Sequence, residues 1–262
     1  MKTVVVAVAL ACLAPGLGSA ASLTGSNVVS SETVDLPAIG TLDWARWPDY
    51  SHKGSAISDV TTTGTFKTYT NDPRLIGDNS GIKVSGTGAS FDFTVAAATV
   101  ERTLTYYVGG WNSTGKITAT LPGATTYTTT FSSSTTYRRV ITLKFRADAP
   151  GTLRVTYTQT AGAGSINMQA AAVSQAASST ILTWAAPALN SDGSPLTDLA
   201  AFKVYWGTTL GKYAQSAKLS NVATRKYTVG GLTTGTWYFV VTALNANGDE
   251  SPYSNVWSKT VP

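Results

Sequence analysis

The sequence is almost without cysteine, and the one it has, Cys12, lies in the first twenty residues. Histidine is equally scarce, with His52 alone in 262 residues. The first shortage excludes a disulfide framework and a thiolate metal centre, and the second excludes a His-rich metal site. Charge is sparse at 13% of residues, and the formal excess of +5 is scattered, with Arg138-Arg139 the densest basic pair. A nucleic-acid binder needs a basic stripe interleaved with aromatics, so nucleic acid is not an expected partner. No apolar run reaches the ~20 residues of a membrane-spanning helix, so membrane insertion is not expected either. Long helical periodicity is absent, while Thr, Ser, Gly and aromatics are abundant, which predicts an all-β chain.

Catalytic signatures are missing too. There is no Gly-x-Ser-x-Gly elbow, no Gly-x-x-x-x-Gly-Lys phosphate loop and no His-Glu-x-x-His helix. Acids of the first domain (Asp43, Asp49, Asp59, Asp72, Asp78, Asp92, Glu101, Asp148) mostly adjoin Gly, Pro, Asn or Thr, where an aspartate caps turns. No enzyme activity and no cofactor are expected. A carboxylate pair of a small glycoside hydrolase is the weak alternative. Asp72, Asp78 and Asn79 offer oxygen donors of the kind calcium takes, but without a twelve-residue calcium loop they read as turn residues.

What is present begins with Lys2, the apolar run 4–14, the break at Pro15-Gly16 and the small residues Gly18-Ser19-Ala20. This is the layout of a secretory signal, so residues 1–20 are expected to be removed and the protein to be extracellular. Cleavage ahead of Cys12 with lipidation there is the alternative, and the very short apolar run before it argues against that.

Residues 21–35 are small, polar and without a period, and read as a leader. Short strands are expected at 57–60, 65–70, 82–85, 90–95, 102–108, 116–121, 127–131, 138–146, 152–157 and 166–173, with Gly109 to Gly115 a long turn. Such a meander over 36–173 predicts a β-sandwich or jelly roll with Phe91, Phe93, Leu104, Tyr106, Ile117, Ile141, Leu143, Leu153 and Val155 in its core. A joint at 174–179 leads to a second domain, 180–262, with about seven strands if a weak first one is allowed near 173–177.

Two stretches have the makings of a sugar site, which wants an aromatic ring beside fixed polar groups. One holds Arg46, Trp47, Tyr50 and His52, and the other holds Trp111 and Asn112. Trp111, between Gly-Gly and Asn-Ser-Thr-Gly, is the ring expected to be exposed. Trp44, Trp184 and Trp237 are expected in cores, since tryptophans of small β-domains are usually buried.

The segment KYTVGGLTTGTWYFVVTALNANG at 226–248, with Trp184 and the Tyr205 strand ahead of it, resembles the fibronectin type III family. The resemblance implies an immunoglobulin-like sandwich acting as a spacer or docking module. Its corner tyrosine falls on Trp237 by the alternation leading back from Ala243, and on Tyr238 by counting from Leu232. The first domain, through IGTLDWARW, His52-Lys53-Gly54, RTLTYYVGGWNSTGKITATL and SINMQAAAV, resembles a galactose-binding-like, carbohydrate-binding-module-like jelly roll of secreted bacterial proteins. It departs from that pattern at Arg46 and Pro48, where histidine and glycine are expected. Together the resemblances imply a non-catalytic protein whose partner is a polysaccharide or other glycan, acting beside a separate extracellular enzyme or surface protein. A structural or adhesive protein with no sugar site is the rival reading.

Overall fold

The computed structural model describes residues 20–47, 49, 51–190 and 192–261, and of His52 the backbone alone. Residues 1–19 of the expected signal, Cys12 among them, and Tyr50 lie outside the described residues. The chain divides between Ala176 and Ala177 into two compact units.

In the first unit, β1 (Ser22–Val29) is followed by the short helix α1 (Leu36–Ile39), β2 (Asp43–Arg46) and β3 (Ser51–His52). Then come β4 (Thr61–Tyr69), β5 (Gly81–Ala97), β6 (Arg102–Thr120), β7 (Tyr127–Arg146), β8 (Gly151–Ala161) and β9 (Ser165–Gln175). These nine strands form one antiparallel hydrogen-bonded ladder. The expected leader is in part a strand, since β1 pairs with β7 from Ser22↔Arg146 to Val29↔Arg139.

The ladder folds into two layers because its long strands cross from one layer to the other. In the first layer, 136–146 of β7 and 102–111 of β6 lie beside β9, which is flanked in turn by β2 and by 81–85 of β5. In the second, 127–133 of β7 and 114–120 of β6 lie beside β8 and 90–97 of β5. The creases fall where residues tolerate unusual backbone: Gly64 (φ 100) in β4, Gly86 (φ 109) and Gly88 (φ 91) in β5, and Asn112 (φ 43) in β6. Register shifts accompany the creases of β4 and β6. Strands that switch sheets through bulges are how a near-orthogonal sandwich makes its corners. The sequence reading broke β5, β6 and β7 into separate short strands at these points. In particular, Gly109 to Gly115 is no turn; it lies within a single 19-residue strand.

All nine predicted core residues are buried to 2% exposure or less, because period-two alternation holds on both sides of each crease. Phe93 of the second layer meets Tyr106 of the first edge-on at 5.7 Å and Trp47 at 6.0 Å, which closes the slab. A smaller cluster of Leu36, Leu75, Tyr107, Ala170 and Ala172 covers part of the outer side of the first layer. The rest of that side is left open, and this uncovered part holds the site described below.

The second unit consists of β10 (Ser178–Thr183), β11 (Leu199–Gly207), β12 (Gln215–Leu219), β13 (Lys226–Leu232), β14 (Gly235–Asn245) and β15 (Trp257–Val261). β10 pairs with β13, and a second sheet has the order β12-β11-β14-β15. The weak first strand expected at 173–177 is instead the end of β9, in the first unit, so only Ala176 and Ala177 separate β9 from β10. Trp184, Phe202, Leu232, Trp237, Phe239 and Val241 lie in the core. The corner position is Trp237: its ring is buried, and its indole N–H donates to the Thr233 carbonyl at 2.9 Å. The indole thus makes the backward hydrogen bond that a corner tyrosine makes in immunoglobulin-like sandwiches.

Candidate functional site

The ladder register places one row of side chains across the open outer side of the first layer. Lys67 faces Lys83, Lys83 faces Asn167, Asn167 faces Gly109 and Gly109 faces Arg138. The next row reads Thr65, Ser85, Ser165, Trp111 and Thr136. At Gly109 the row has no side chain, and a Cβ there would lie 2.8 Å from Asn167 Oδ1. A cleft of about 270 Å3 results, walled by Tyr69, Asn71, Asp72, Lys83, Trp111, Arg138 and Asn167. The Trp111 side chain is 54% exposed. Asn167 Oδ1 is buried and has no hydrogen-bond partner among the described residues.

One wall is the loop at 71–74, which a buried guanidinium fixes to the sheet. Arg74 is fully buried and grips Asp72 with two bonds, Nε to Oδ1 at 2.8 Å and Nη2 to Oδ2 at 2.6 Å. Its Nη1 donates to the carbonyls of Val108 (3.0 Å) and Arg139 (2.8 Å), and Gln169 Nε2 donates to the Asp72 carbonyl at 2.7 Å. Burial pushes the Asp72 carboxyl up, but the hydrogen bonds and charge of Arg74, with the charge of Arg138, more than offset it and hold the group below the ordinary carboxylate value. Burial, followed by the Asp72 charge, raises the Tyr69 phenol well above its usual range. Arg138 Nη2 donates to the Asn71 carbonyl at 2.7 Å. Asn71 itself has φ 77, a backbone region that asparagine tolerates better than most residues.

Beneath the crease of β6 runs a chain of hydroxyls. Tyr157 donates to the Gly109 carbonyl at 2.7 Å, Tyr137 lies 3.2 Å from Tyr157, and Ser113 lies 3.0 Å from Tyr137 and 2.9 Å from the Ser165 carbonyl. Three hydroxyl protons serve four contacts, so one contact is always without a proton. The chain ties the backbone under Gly109 and Trp111 to β9. The turn between β8 and β9 leans on the same crease, with Gly164 N–H donating to the Asn112 carbonyl at 2.9 Å.

The other sequence-predicted residues do not join this cleft. Asn112 adjoins Trp111 but is absent from the cleft walls, and its φ of 43 marks it as the hinge of the crease. Trp47 is a correction: it is 0% exposed, because it continues the inward alternation of Asp43 and Ala45, so its ring is closed to any ligand. Arg46 is ion-paired to Asp49 and lies 3.4 Å from Asp78, which makes it a strut between loops. Tyr50 and the His52 side chain lie outside the described residues. Trp44 is half-buried against the Leu36 cluster. The sequence reading missed Lys83, Asn167 and Tyr69 entirely, since each is one more polar residue on an alternating strand until the register aligns them.

The acids with described partners are engaged in the fold. Asp43 accepts from the backbone N–H groups of Trp44, Gly54 and Ile57, and Asp92 accepts from both Nε and Nη2 of Arg154. Among the described residues no group of three or more His, Cys, Asp or Glu side chains could hold a metal ion. Asp72 and Asp78, considered for calcium, are bound to Arg74 and to Ser80.

Comparison with known proteins gives one family match, the fibronectin type III domain, at residues 165–260. The match opens on β9, which pairs within the first unit, and then spans the second unit almost to its end. No curated protein matches the chain. Among solved structures, the chain is similar to the chicken CNTN1 FN1-FN3 domains at 12% identity, covering 68% of this chain and 64% of that one, with a TM-score of 0.25. It is also similar to the N-terminal CBM22-1-CBM22-2 tandem domain from Paenibacillus barcinonensis Xyn10C, at 8% identity over 77% and 85% of the two chains with a TM-score of 0.30. A third likeness is to the beta-1,2-glucanase from Parabacteroides distasonis, at 10% identity and a TM-score of 0.25, covering 79% of this chain and 37% of that one. Likenesses at these scores assign no function.

Proposed function

From a chain whose C-terminal domain is a fibronectin type III domain, we propose a secreted, non-catalytic glycan-binding protein that takes a polysaccharide on the outer face of its N-terminal sandwich. The observation that carries the reading is the exposed Trp111 ring in the wall of a polar cleft that it shares with Tyr69, Asn71, Lys83 and Asn167. A sugar ring presents an apolar C–H face for the indole and hydroxyls for the polar groups of the cleft wall. The wall chemistry supports binding without catalysis. The acid in the cleft wall, Asp72, is gripped by Arg74 and held ionised, so it has no proton to give a leaving group. For the fibronectin domain, docking is favoured over spacing alone by an edge-to-face cluster of Tyr205, Tyr213 and Tyr253, the last 51% exposed.

The test is a glycan array with an insoluble-polysaccharide pull-down, run on the mature protein and on Trp111→Ala. The variant is expected to lose binding by about tenfold or more, the value of a desolvated stacking contact. Its unfolding should be unchanged, because the ring is exposed. Binding equal to that of the parent would move the site away from Trp111. No binding by the parent would favour a structural or adhesive protein.

A further inference from the structure

The row that floors the cleft is cationic beyond what the fold needs. Lys67 and Lys83 are direct cross-strand neighbours, an arrangement that repels unless something negative lies between or above them. Neither is ion-paired to a carboxylate among the described residues, and Lys83 lines the cleft. Arg138 stands at the far end of the same row, 34% exposed, on the opposite side of the gap at Gly109. Arg138 shares the Asp72 carboxylate with the fully buried Arg74, its Nε 3.4 Å from Oδ1. One negative charge is thus divided between two guanidinium groups, and none of it reaches Lys67 or Lys83 as an ion pair among the described residues. One cross-strand pair in this domain does match its charges: Arg154 of β8 holds Asp92 of β5 at 2.7 Å. Lys116 of β6 and Lys144 of β7 are also exposed and lie opposite Thr130 and Thr103, whereas Lys67 and Lys83 lie directly opposite one another beside the cleft.

We propose that the glycan taken by this cleft is anionic, a polymer carrying carboxylate or sulfate groups, with Lys83 and Arg138 receiving the charge on either side of the ring that stacks on Trp111. This rests on the glycan reading above and narrows its ligand class. A neutral sugar would leave the Lys67-Lys83 repulsion in place. An anion relieves it and gains charge-assisted hydrogen bonds in the same step.

The experiment compares polygalacturonate, alginate and chondroitin sulfate with neutral polymers, namely fully methyl-esterified pectin and a mixed-linkage β-glucan. Wild type, Lys83→Gln and Trp111→Ala are each titrated at low and at high salt. The proposal expects at least one anionic polymer to bind more tightly than every neutral one. That binding should weaken with salt and fall about tenfold in Lys83→Gln, the value of one charge-assisted contact. Lys83→Gln is expected to keep or slightly raise the parent's melting temperature, since the lysine makes no ion pair within the described fold and its repulsion with Lys67 is removed. Preference for a carboxylated over a sulfated polymer, or the reverse, names the anion and supports the proposal either way. Neutral polymers bound as tightly as acidic ones, with Trp111→Ala still defective, would overturn the anionic assignment and leave the glycan site standing. Absence of binding to every polymer would overturn both. Tighter binding to a single-stranded oligonucleotide than to any glycan would likewise overturn both.

Discussion

Arg74→Leu is expected to be among the most damaging single substitutions in the N-terminal domain, costing about 3–5 kcal/mol of its stability, because removing one partner leaves the other as an uncompensated buried charge. Arg74 has no exposed surface and Asp72 almost none, and the guanidinium also satisfies two backbone carbonyls on β6 and β7. The leucine would leave Asp72 with Arg138 at 3.4 Å and the two carbonyls without that donor. Chemical denaturation of the full chain, following the N-terminal transition, measures the loss. Asp72→Asn combined with Arg74→Leu should recover part of it, since the stranded charge is then gone. The pH dependence has a definite sign. The Asp72 carboxyl is held below its ordinary value in the fold, so its contribution is present above the unfolded carboxylate pKa and fades as pH drops below it through the folded one. Arg74→Leu should flatten that acid limb. A variant within about 1 kcal/mol of the parent would show that the loop at 71–74 is not anchored by this pair.

Gly164→Ala is the second large effect, and it couples stability to the site. Gly164 has no left-handed backbone requirement; what demands glycine is close approach. A Cβ there would fall on the Trp111 carbonyl oxygen and lie 2.7 Å from the carbonyl carbon behind it, both backbone atoms that cannot rotate away. Either the turn between β8 and β9 or the crease of β6 must shift. The expected cost is about 1–3 kcal/mol, the usual range for forced overpacking. The more telling readout is the indole. Displacing the Trp111 backbone should lower glycan binding more than the loss of stability explains, measured at temperatures where the variant remains folded. Unchanged binding would mean that the β8–β9 turn does not set the ring's position.

Much of the fold was legible because burial in a sandwich writes a period of two into the chain. Phe91-x-Phe93-x-Val95 and Leu104-x-Tyr106-x-Val108 show their inward faces without any knowledge of their partners. The creases were not legible. Gly86-Thr87-Gly88 and Gly109-Gly110-Trp111-Asn112 are built of residues that serve equally in a turn and in a bulge, and strands far off in sequence decide which. Trp111 was read as exposed from its Gly and Asn neighbours. It is exposed, though on a bulged strand rather than on a turn tip. Trp47 misled because Pro48 beside it suggested a loop, whereas it carries on the inward alternation begun in β2. Lys83, Arg138 and Asn167 lie on three strands far apart in the chain, and only the register puts them in one row.

The most direct measurement is oxidation of exposed indoles by N-bromosuccinimide, located by mass spectrometry, with and without a saturating bound polysaccharide. Without ligand, Trp111 should react ahead of the buried Trp47, Trp184 and Trp237. With ligand it should be protected, while the half-buried Trp206 and Trp257 of the other domain keep their rates. Polysaccharide that binds yet leaves Trp111 as reactive as before would contradict the assignment of this cleft as the glycan site.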